Sequence, residues 1–314
     1  MIKRLLLFLV LYGFAPIILA QSFKIVPLGV LGGSHEDNLS AYMVTPKGQK
    51  NYVCLDAGTL NAGIQKAIHN YVFNGDANQI LRDSIKGYLI SHGHLDHLAG
   101  LVINSPDDSP KPIYAMPYTL AVLKKHYFSW ESWANFANEG EKPALGKYHY
   151  VELKKGEELP LQNTQMLVTA FPLSHAKPYE STAFLLRSKN DYLLYLGDTG
   201  SDRIEQSQKL DSLWKAVAPF IKDHQLRTMM IEVSFPNSQA EKQLFGHLTP
   251  NVWLEEMKRL SQYTGTAALK NFNVVITHIK PSGNHIKEIK DEVKANNPFQ
   301  LNIIFPVQGK ALIL

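Results

Sequence analysis

Four side chains that can bind metal lie within six residues of the sequence: His92, His94, Asp96 and His97. They directly follow the apolar run Ile85–Ile90, so we expect them at the carboxyl end of a strand, where ligands gather in open α/β sheets. Three imidazoles and a carboxylate cannot all be buried cheaply without partners. Zinc binds these nitrogen and oxygen ligands. The segment therefore predicts a metal site whose tight turn sends alternate side chains to two adjacent ions.

Three further metal-binding side chains follow later apolar runs. Each one alone is an ordinary polar residue at a predicted strand end. Because the carboxyl ends of parallel strands meet at one edge of a sheet, residues that share this position converge. Two ions need more ligands than the first segment offers, and the additional candidates are His175, Asp198 and His278.

Asp56 ends another apolar run, in the sequence Asp-Ala-Gly-Thr. Its carboxylate is placed to accept a hydrogen bond from a metal-binding imidazole and so to fix the tautomer of that ring. An aspartate two residues before Gly58 is also typical of a turn. The pattern leaves both roles open, and the supporting role behind the metal ligands is the prediction.

The elements that position these residues alternate between apolar runs and amphipathic segments, which predicts a layered α/β architecture. Apolar residues at helical spacing predict a helix over Leu210–His224. Thr249 as N-cap and Pro250 in the first turn predict another helix, which runs to about Gln262. The predicted strands include Tyr52–Leu55, Ile85–Ile90, Met166–Ala170, Ala183–Leu186, Tyr192–Leu196, Thr228–Val233, Val274–Ile276 and Leu301–Phe305.

An aromatic-rich segment, residues 124–156, interrupts this alternation. It is interpreted either as a helical excursion that packs on its own aromatic side chains or as a wall of a ligand pocket.

Composition restricts the function classes. The 314 residues are 45% hydrophobic and 19% charged, as in a globular protein with a sizeable core. The net charge of +4 falls to about +2 without Lys3 and Arg4, too little to indicate nucleic-acid binding. Cys54 is the single cysteine and lies in an apolar run, which excludes an internal disulfide and favours a buried position.

The first twenty residues have the pattern of a signal peptide. Lys3 and Arg4 precede an apolar run that ends at Ala20, a small residue suited to cleavage before Gln21. The alternative is a membrane anchor, but Pro16 interrupts the run, which is shorter than the roughly 20 residues that span a bilayer. We expect export to the periplasm or medium, cleavage, and no stable membrane insertion afterwards.

The segment from His92 to Pro106, His-Gly-His-Leu-Asp-His-Leu-Ala-Gly-Leu-Val-Ile-Asn-Ser-Pro, resembles the signature of class II 3′,5′-cyclic-nucleotide phosphodiesterases. The segment Leu31–Tyr42 and the Leu-Asp-Ala-Gly turn at Gly58 are also similar to that family, which belongs to the metallo-β-lactamase superfamily. The resemblance covers nearly all of residues 21–314. It implies one αββα sandwich, in which two mixed sheets lie between layers of helices.

The resemblance also implies a ligand set for two zinc ions, and manganese or iron would suit the same set. His92, His94 and His175 would hold one ion. Asp96, His97 and His278 would hold the other, with Asp198 bridging the two. Asp96 is then both a ligand and a catalytic residue.

Glu232 and His247 resemble the glutamate and histidine motifs of the transfer-RNA 3′-processing relatives. His247 would protonate the leaving oxygen, and Glu232 would orient its ring. The alternative is that His247 only forms hydrogen bonds near the helix start at Thr249.

The implied activity is hydrolysis of cyclic AMP, or of cyclic GMP, to the nucleoside 5′-monophosphate. A hydroxide shared by the two zinc ions would attack phosphorus. The partner is then a small cyclic nucleotide and not a nucleic acid. The alternatives are another hydrolase of this fold, such as a lactonase, lactamase or thioesterase, a transfer-RNA-processing nuclease, and a non-enzymatic zinc- or nucleotide-binding protein.

Overall fold

A computed structural model describes residues 22–314, and within them the strands form two seven-stranded sheets. The strands of the first sheet are β1 (Phe23–Gly29), β2 (Ala41–Pro46), β3 (Tyr52–Leu55), β4 (Ile85–Leu89), β5 (Lys111–Ala115), β6 (Tyr148–Glu152) and β14 (Leu312–Ile313). They lie in the order β14-β1-β2-β3-β4-β5-β6, antiparallel from β14 to β3 and parallel from β3 to β6.

The strands of the second sheet are β7 (Glu158–Pro160), β8 (Leu167–Ser174), β9 (Glu180–Ser188), β10 (Asp191–Leu196), β11 (Leu226–Glu232), β12 (Asn273–Thr277) and β13 (Asn302–Ile304). They lie in the order β13-β12-β11-β10-β9-β8-β7, and β10 to β13 are parallel. The parallel strands of both sheets therefore carry loops at their carboxyl ends, where ligand sites form.

Helices cover the outer face of each sheet. A π-helical turn at Leu123–Tyr127 and a 3₁₀ turn at Glu241–Gln243 accompany them. The α-helices are α1 (Asn61–His69), α2 (Ala77–Ser84), α3 (Leu95–Asn104), α4 (Pro117–Val122), α5 (Asp202–Glu205), α6 (Lys209–Lys222), α7 (Pro250–Thr264), α8 (Thr266–Leu269) and α9 (His285–Ala295).

Three apolar layers hold these elements together. Tyr42 of the first sheet and Phe184 of the second belong to the layer between the sheets. Leu101 of α3 is buried in the layer outside the first sheet. Trp214 of α6 and Trp253 of α7 are fully buried in the layer outside the second. This order of helices, sheet, sheet and helices confirms the predicted αββα sandwich.

The predicted strands and helices are present, with small differences at their ends. The helix predicted to reach His224 ends at Lys222, and His224 has a left-handed φ of 56° that no α-helix continues. The next predicted helix extends to Thr264 and stops before Gly265, whose φ is 77°. Thr249 caps it as expected, because its Oγ1 accepts from the Val252 amide at 3.3 Å.

The predicted signal peptide, residues 1–20, lies outside the described residues. Among residues 22–314, every helix is too short or too polar to cross a bilayer.

Candidate metal centre

The first histidine segment lies where β4 ends and α3 begins. His92 lies in the loop after the strand, and His94 is the N-cap residue of α3. The turn between them is tight: a Cβ on Gly93 would lie 2.4 Å from a methyl carbon of Val122. Only glycine fits there. Because Gly93 permits this tight turn, the imidazoles of the residues on either side of it lie close together.

His92, His94 and His175 form one group of ligand atoms. The Nε2 atoms of His92 and His175 lie 3.1 and 3.2 Å from Nδ1 of His94. His175 comes from the end of β8 in the second sheet, so this group joins the two sheets. The ligand atoms of the three histidines and of Asp198 lie within 4.8 Å of one another, which could hold a metal ion.

Asp96, His97 and His278 form a second group. Nε2 of His278 lies 3.1 Å from Oδ2 of Asp96, and the rings of His97 and His278 stack with centroids 4.9 Å apart. His278 has a left-handed φ of 55°, a costly conformation that clusters at functional sites. A Cβ on Gly32 would lie 2.2 Å from Cε1 of His278, so glycine is required there.

Asp198, just after β10, lies between the two groups. Its Oδ1 is 3.2 Å from Nε2 of His97, and its Oδ2 is 3.3 Å from Nε2 of His278. Nε2 of His92 and of His175 each lie 3.7 Å from Oδ2. One carboxylate thus faces both groups, as the predicted bridging position requires.

The chemistry of this donor set fits divalent metal. Burial lowers the pKa of His92 well below its usual range and that of His175 to about 4, which keeps both rings neutral and able to ligate. Burial also opposes ionisation of Asp198, but the rings of His278 and His97 outweigh it and hold its pKa well below the ordinary value. Nε2 of His97 is buried and has no hydrogen-bond partner among the described residues. A divalent cation would satisfy these groups together.

Asp56 lies beside His97, one of the candidate ligand histidines. Its Oδ2 is 2.7 Å from Nδ1 of His97 and accepts from the Tyr195 hydroxyl at 2.6 Å. Its φ of 53° is left-handed, so the turn geometry considered as the alternative is present as well. The carboxylate is fully buried and leaves Nε2 of His97 directed at Asp198.

Glu232 and His247 also meet, with Oε1 of the glutamate 2.8 Å from Nδ1 of the histidine. Burial would lower the pKa of His247, but the carboxylate of Glu232 outweighs it and raises that pKa. His247 also forms a third group of ligand atoms with Asp198 and His278, so its ring is adjacent to the metal-binding cluster.

The aromatic segment contacts the site without forming a long helix. After its π-helical turn it has no helix up to β6. The Tyr127 hydroxyl donates to the carbonyl of Gly93 at 2.8 Å, and the rings of Trp133 and Phe136 pack on the core outside the first sheet. The segment is therefore not the helical excursion considered in the sequence, since it packs on the core of the first sheet, and Tyr127 contacts the histidine turn.

Several residues of the site were missed in the sequence. The Gly33 amide donates to Oδ2 of Asp96 at 2.9 Å, and the Gly246 carbonyl lies 2.8 Å from Nδ1 of His175. Ser91 and Ser234 lie behind other ligand histidines. The adjacent glycines at 32 and 33 were the one available signal, since such pairs mark close backbone approach. Serines are too common for their position to stand out.

Comparisons with known proteins agree with this geometry. The chain is 42% identical over 306 residues to 3′,5′-cyclic-nucleotide phosphodiesterase of Aliivibrio fischeri, which covers 93% of this chain and 92% of the relative. The crystal structure of unliganded yeast PDE1 superposes with a TM-score of 0.83 at 22% identity, over 93% of this chain and 99% of that one. The crystal structure of YhfI of Bacillus subtilis, a metallo-β-lactamase fold protein, superposes with a TM-score of 0.59 at 16% identity, over 92% of this chain and 99% of that one.

These structural neighbours identify the αββα sandwich as the metallo-β-lactamase fold. The family model for class-II cAMP phosphodiesterases matches residues 22–295, nearly all of the described chain. The chain belongs to the class-II cAMP phosphodiesterase family.

Proposed function

We propose that this protein hydrolyses 3′,5′-cyclic nucleotides, with cyclic AMP as the first candidate and cyclic GMP as the second, to nucleoside 5′-monophosphates. The observation that carries the proposal is the convergence of two histidine groups around Asp198, from strand ends of both sheets. The phosphodiesterase of Aliivibrio fischeri, at 42% identity, supports the choice of substrate.

Two zinc ions would be held by the residues named from the sequence, and manganese or iron would suit the same ligands. When bound, the ions would supply a nucleophile at neutral pH by lowering the pKa of a shared water, and would offset phosphate charge. The ligand set for one ion is His92, His94 and His175, that for the other is Asp96, His97 and His278, and Asp198 is shared.

The protein residues around the cluster divide the remaining tasks. Asp96 and His94 are only half-buried, so the substrate approaches the cluster from their side. His247 donates the proton that the departing 3′-oxygen needs. Glu232 holds Nδ1 of that ring at 2.8 Å and leaves Nε2 for the proton. Asp56 fixes the tautomer of His97.

Purified protein should convert cyclic AMP to 5′-AMP, and a chelator should abolish the reaction until zinc is restored. The product identifies the bond that breaks, because cleavage at the other ester would yield 3′-AMP. Liquid chromatography of the products measures this directly. A thioester and a β-lactam are tested on the same preparation. Preferential hydrolysis of either would contradict the proposal, and a metal-loaded protein inert on every substrate would favour a binding function.

We also propose that the protein is exported, because residues 1–20 have the basic, apolar and small-residue order of a signal peptide. Expression of the chain from Met1 in a bacterium should yield protein that begins near Gln21 outside the cytoplasm. N-terminal sequencing of each cell fraction measures this. An intact Met1 on active cytoplasmic protein would contradict export.

A further inference from the structure

The carboxylate of Asp56 reaches two histidines of the cluster, one directly and one through a hydroxyl. Its Oδ2 lies 2.7 Å from Nδ1 of His97 and accepts from Ser91 Oγ at 2.8 Å. The same Oγ lies 2.9 Å from Nδ1 of His92. All four side chains are fully buried, so water does not compete for these bonds. Ser91 donates its hydroxyl proton to the carboxylate, so Ser91 Oγ is free to accept a hydrogen bond from the His92 ring.

The carboxylate of Glu232 repeats this arrangement on the other side of the cluster. Its Oε1 lies 2.8 Å from Nδ1 of His247, and its Oε2 accepts from Ser234 Oγ at 2.5 Å. That Oγ lies 2.9 Å from Nδ1 of His278 and also 2.9 Å from the His278 carbonyl. The carboxylate is the nearer and the charged acceptor, so it takes the serine proton. The serine oxygen then accepts from the His278 ring.

The hydrogen bond at one ring nitrogen decides which nitrogen of a neutral histidine is free for metal. A proton on Nδ1 leaves the Nε2 lone pair free, and Nε2 is the atom that both rings direct at the cluster. Nε2 of His278 lies 3.1 Å from Asp96, and Nε2 of His92 lies 3.1 Å from Nδ1 of His94. His175 obtains the same orientation from the Gly246 carbonyl, which side-chain substitution cannot remove.

We propose that Ser91 and Ser234 are positioning residues that hold His92 and His278 in the Nδ1-protonated tautomer, each for a different metal ion. Ser91 acts on the group of His92, His94 and His175, and Ser234 acts on the group of Asp96, His97 and His278. The inference rests on the metal-binding part of the proposed function and is independent of the substrate.

Zinc affinity of single and double variants tests the assignment. Ser91→Ala and Ser234→Ala should each lower the affinity for one of the two ions by about 10- to 100-fold, the usual effect of removing a hydrogen-bond partner of a metal ligand. The double variant should lower the affinity for both ions. Ser129→Ala is the matched control, because its buried Oγ has no hydrogen-bond partner among the described residues. Competition with a chromophoric chelator measures the affinities. Wild-type affinity for both ions in both single variants would overturn the proposal.

A second measurement starts with the unsubstituted protein, so the outcome that can overturn the proposal does not depend on the folding of a variant. In the metal-free wild-type protein, the ring ¹⁵N resonances of His92 and His278 should show a proton on Nδ1, and Ser91→Ala should remove this preference from His92 alone. A proton on Nε2 of both rings in the wild type would overturn the proposal.

The same preparations separate this inference from the proposed substrate. Suppose that the wild type binds two ions tightly, that the serine variants bind them more weakly, and that no protein hydrolyses cyclic AMP. This result would contradict the proposed substrate and support the serine roles. Normal hydrolysis with unchanged affinities in both variants would contradict the serine roles alone. A wild-type protein that binds neither zinc nor manganese nor iron would contradict both.

Discussion

Asp198→Asn should lose both metal binding and activity. The two oxygens of Asp198 face different histidine groups, with Oδ1 at 3.2 Å from His97 and Oδ2 at 3.3 Å from His278. An amide keeps one oxygen, replaces the other with an NH₂ donor and carries no charge to offset two dications. We expect zinc affinity to fall by more than about 100-fold. Substitution of a residue that only hydrogen-bonds to a ligand usually lowers metal affinity by about 10- to 100-fold, and Asp198 would be a ligand itself. Hydrolysis should fall in parallel.

Elemental analysis and activity on one preparation measure this, and the wild type should carry two divalent ions per chain. Asp108→Asn is the matched control, since Asp108 is equally buried but bonds to Tyr88, Tyr148 and Lys111, outside both metal-binding groups. It should lower thermal stability and leave the metal content unchanged. Asp198→Asn protein with two ions and wild-type activity would exclude the shared-ligand role.

His247→Ala should keep both ions and lose about 10²- to 10⁴-fold in the hydrolysis of cyclic AMP, the usual scale for one general acid. The structure motivates this because Glu232 holds Nδ1 of His247 at 2.8 Å and leaves Nε2 for proton transfer. Cyclic AMP leaves through a basic sugar alkoxide that needs a proton. A p-nitrophenyl phosphodiester releases a weakly basic phenolate that needs no proton, so His247→Ala should lower the rate of its hydrolysis much less.

Steady-state rates on both substrates, with the metal content of the same variant, decide among three roles for His247. A large loss on cyclic AMP alone identifies the acid. Equal losses with both ions present would indicate that the ring only forms hydrogen bonds beside the cap at Thr249. Loss of an ion would indicate that His247 is a ligand, which its position beside Asp198 and His278 also allows. His224→Ala, at an exposed position after α6, should match the wild type.

The sequence contained enough to predict the architecture and the candidate ligands. In the sequence, buried strands are recognised as short apolar runs, such as Tyr192–Leu196, and helices as apolar residues spaced three to four apart. The reason is that the buried face of each element sets which nearby positions must be apolar. His92 to His97 stood out because metal-binding side chains are rarely so dense. His175, Asp198 and His278 are far apart in the chain, but each follows a predicted strand, and parallel strands bring such residues to one edge.

Element ends were less predictable, because single backbone angles decide them. His224 ends α6 in a left-handed conformation, and Gly265 does the same after α7 with its φ of 77°. Neither angle follows from hydrophobic periodicity. Histidine adopts a positive φ more often than most residues but still only in a small minority of cases, so the residue type does not predict this angle.

What the tertiary structure alone decided is how the ligands are supported. Ser91 and Ser234 are separated by 143 residues in the chain, yet each connects a buried carboxylate to a ring of the same cluster. Gly32 is required only because the His278 ring lies against it. The sequence determined which side chains bear the chemistry, because their types are rare and their spacing is local. The fold decided their tautomers and partners, because a hydrogen bond depends on distances of a few tenths of an ångström between segments remote in the chain.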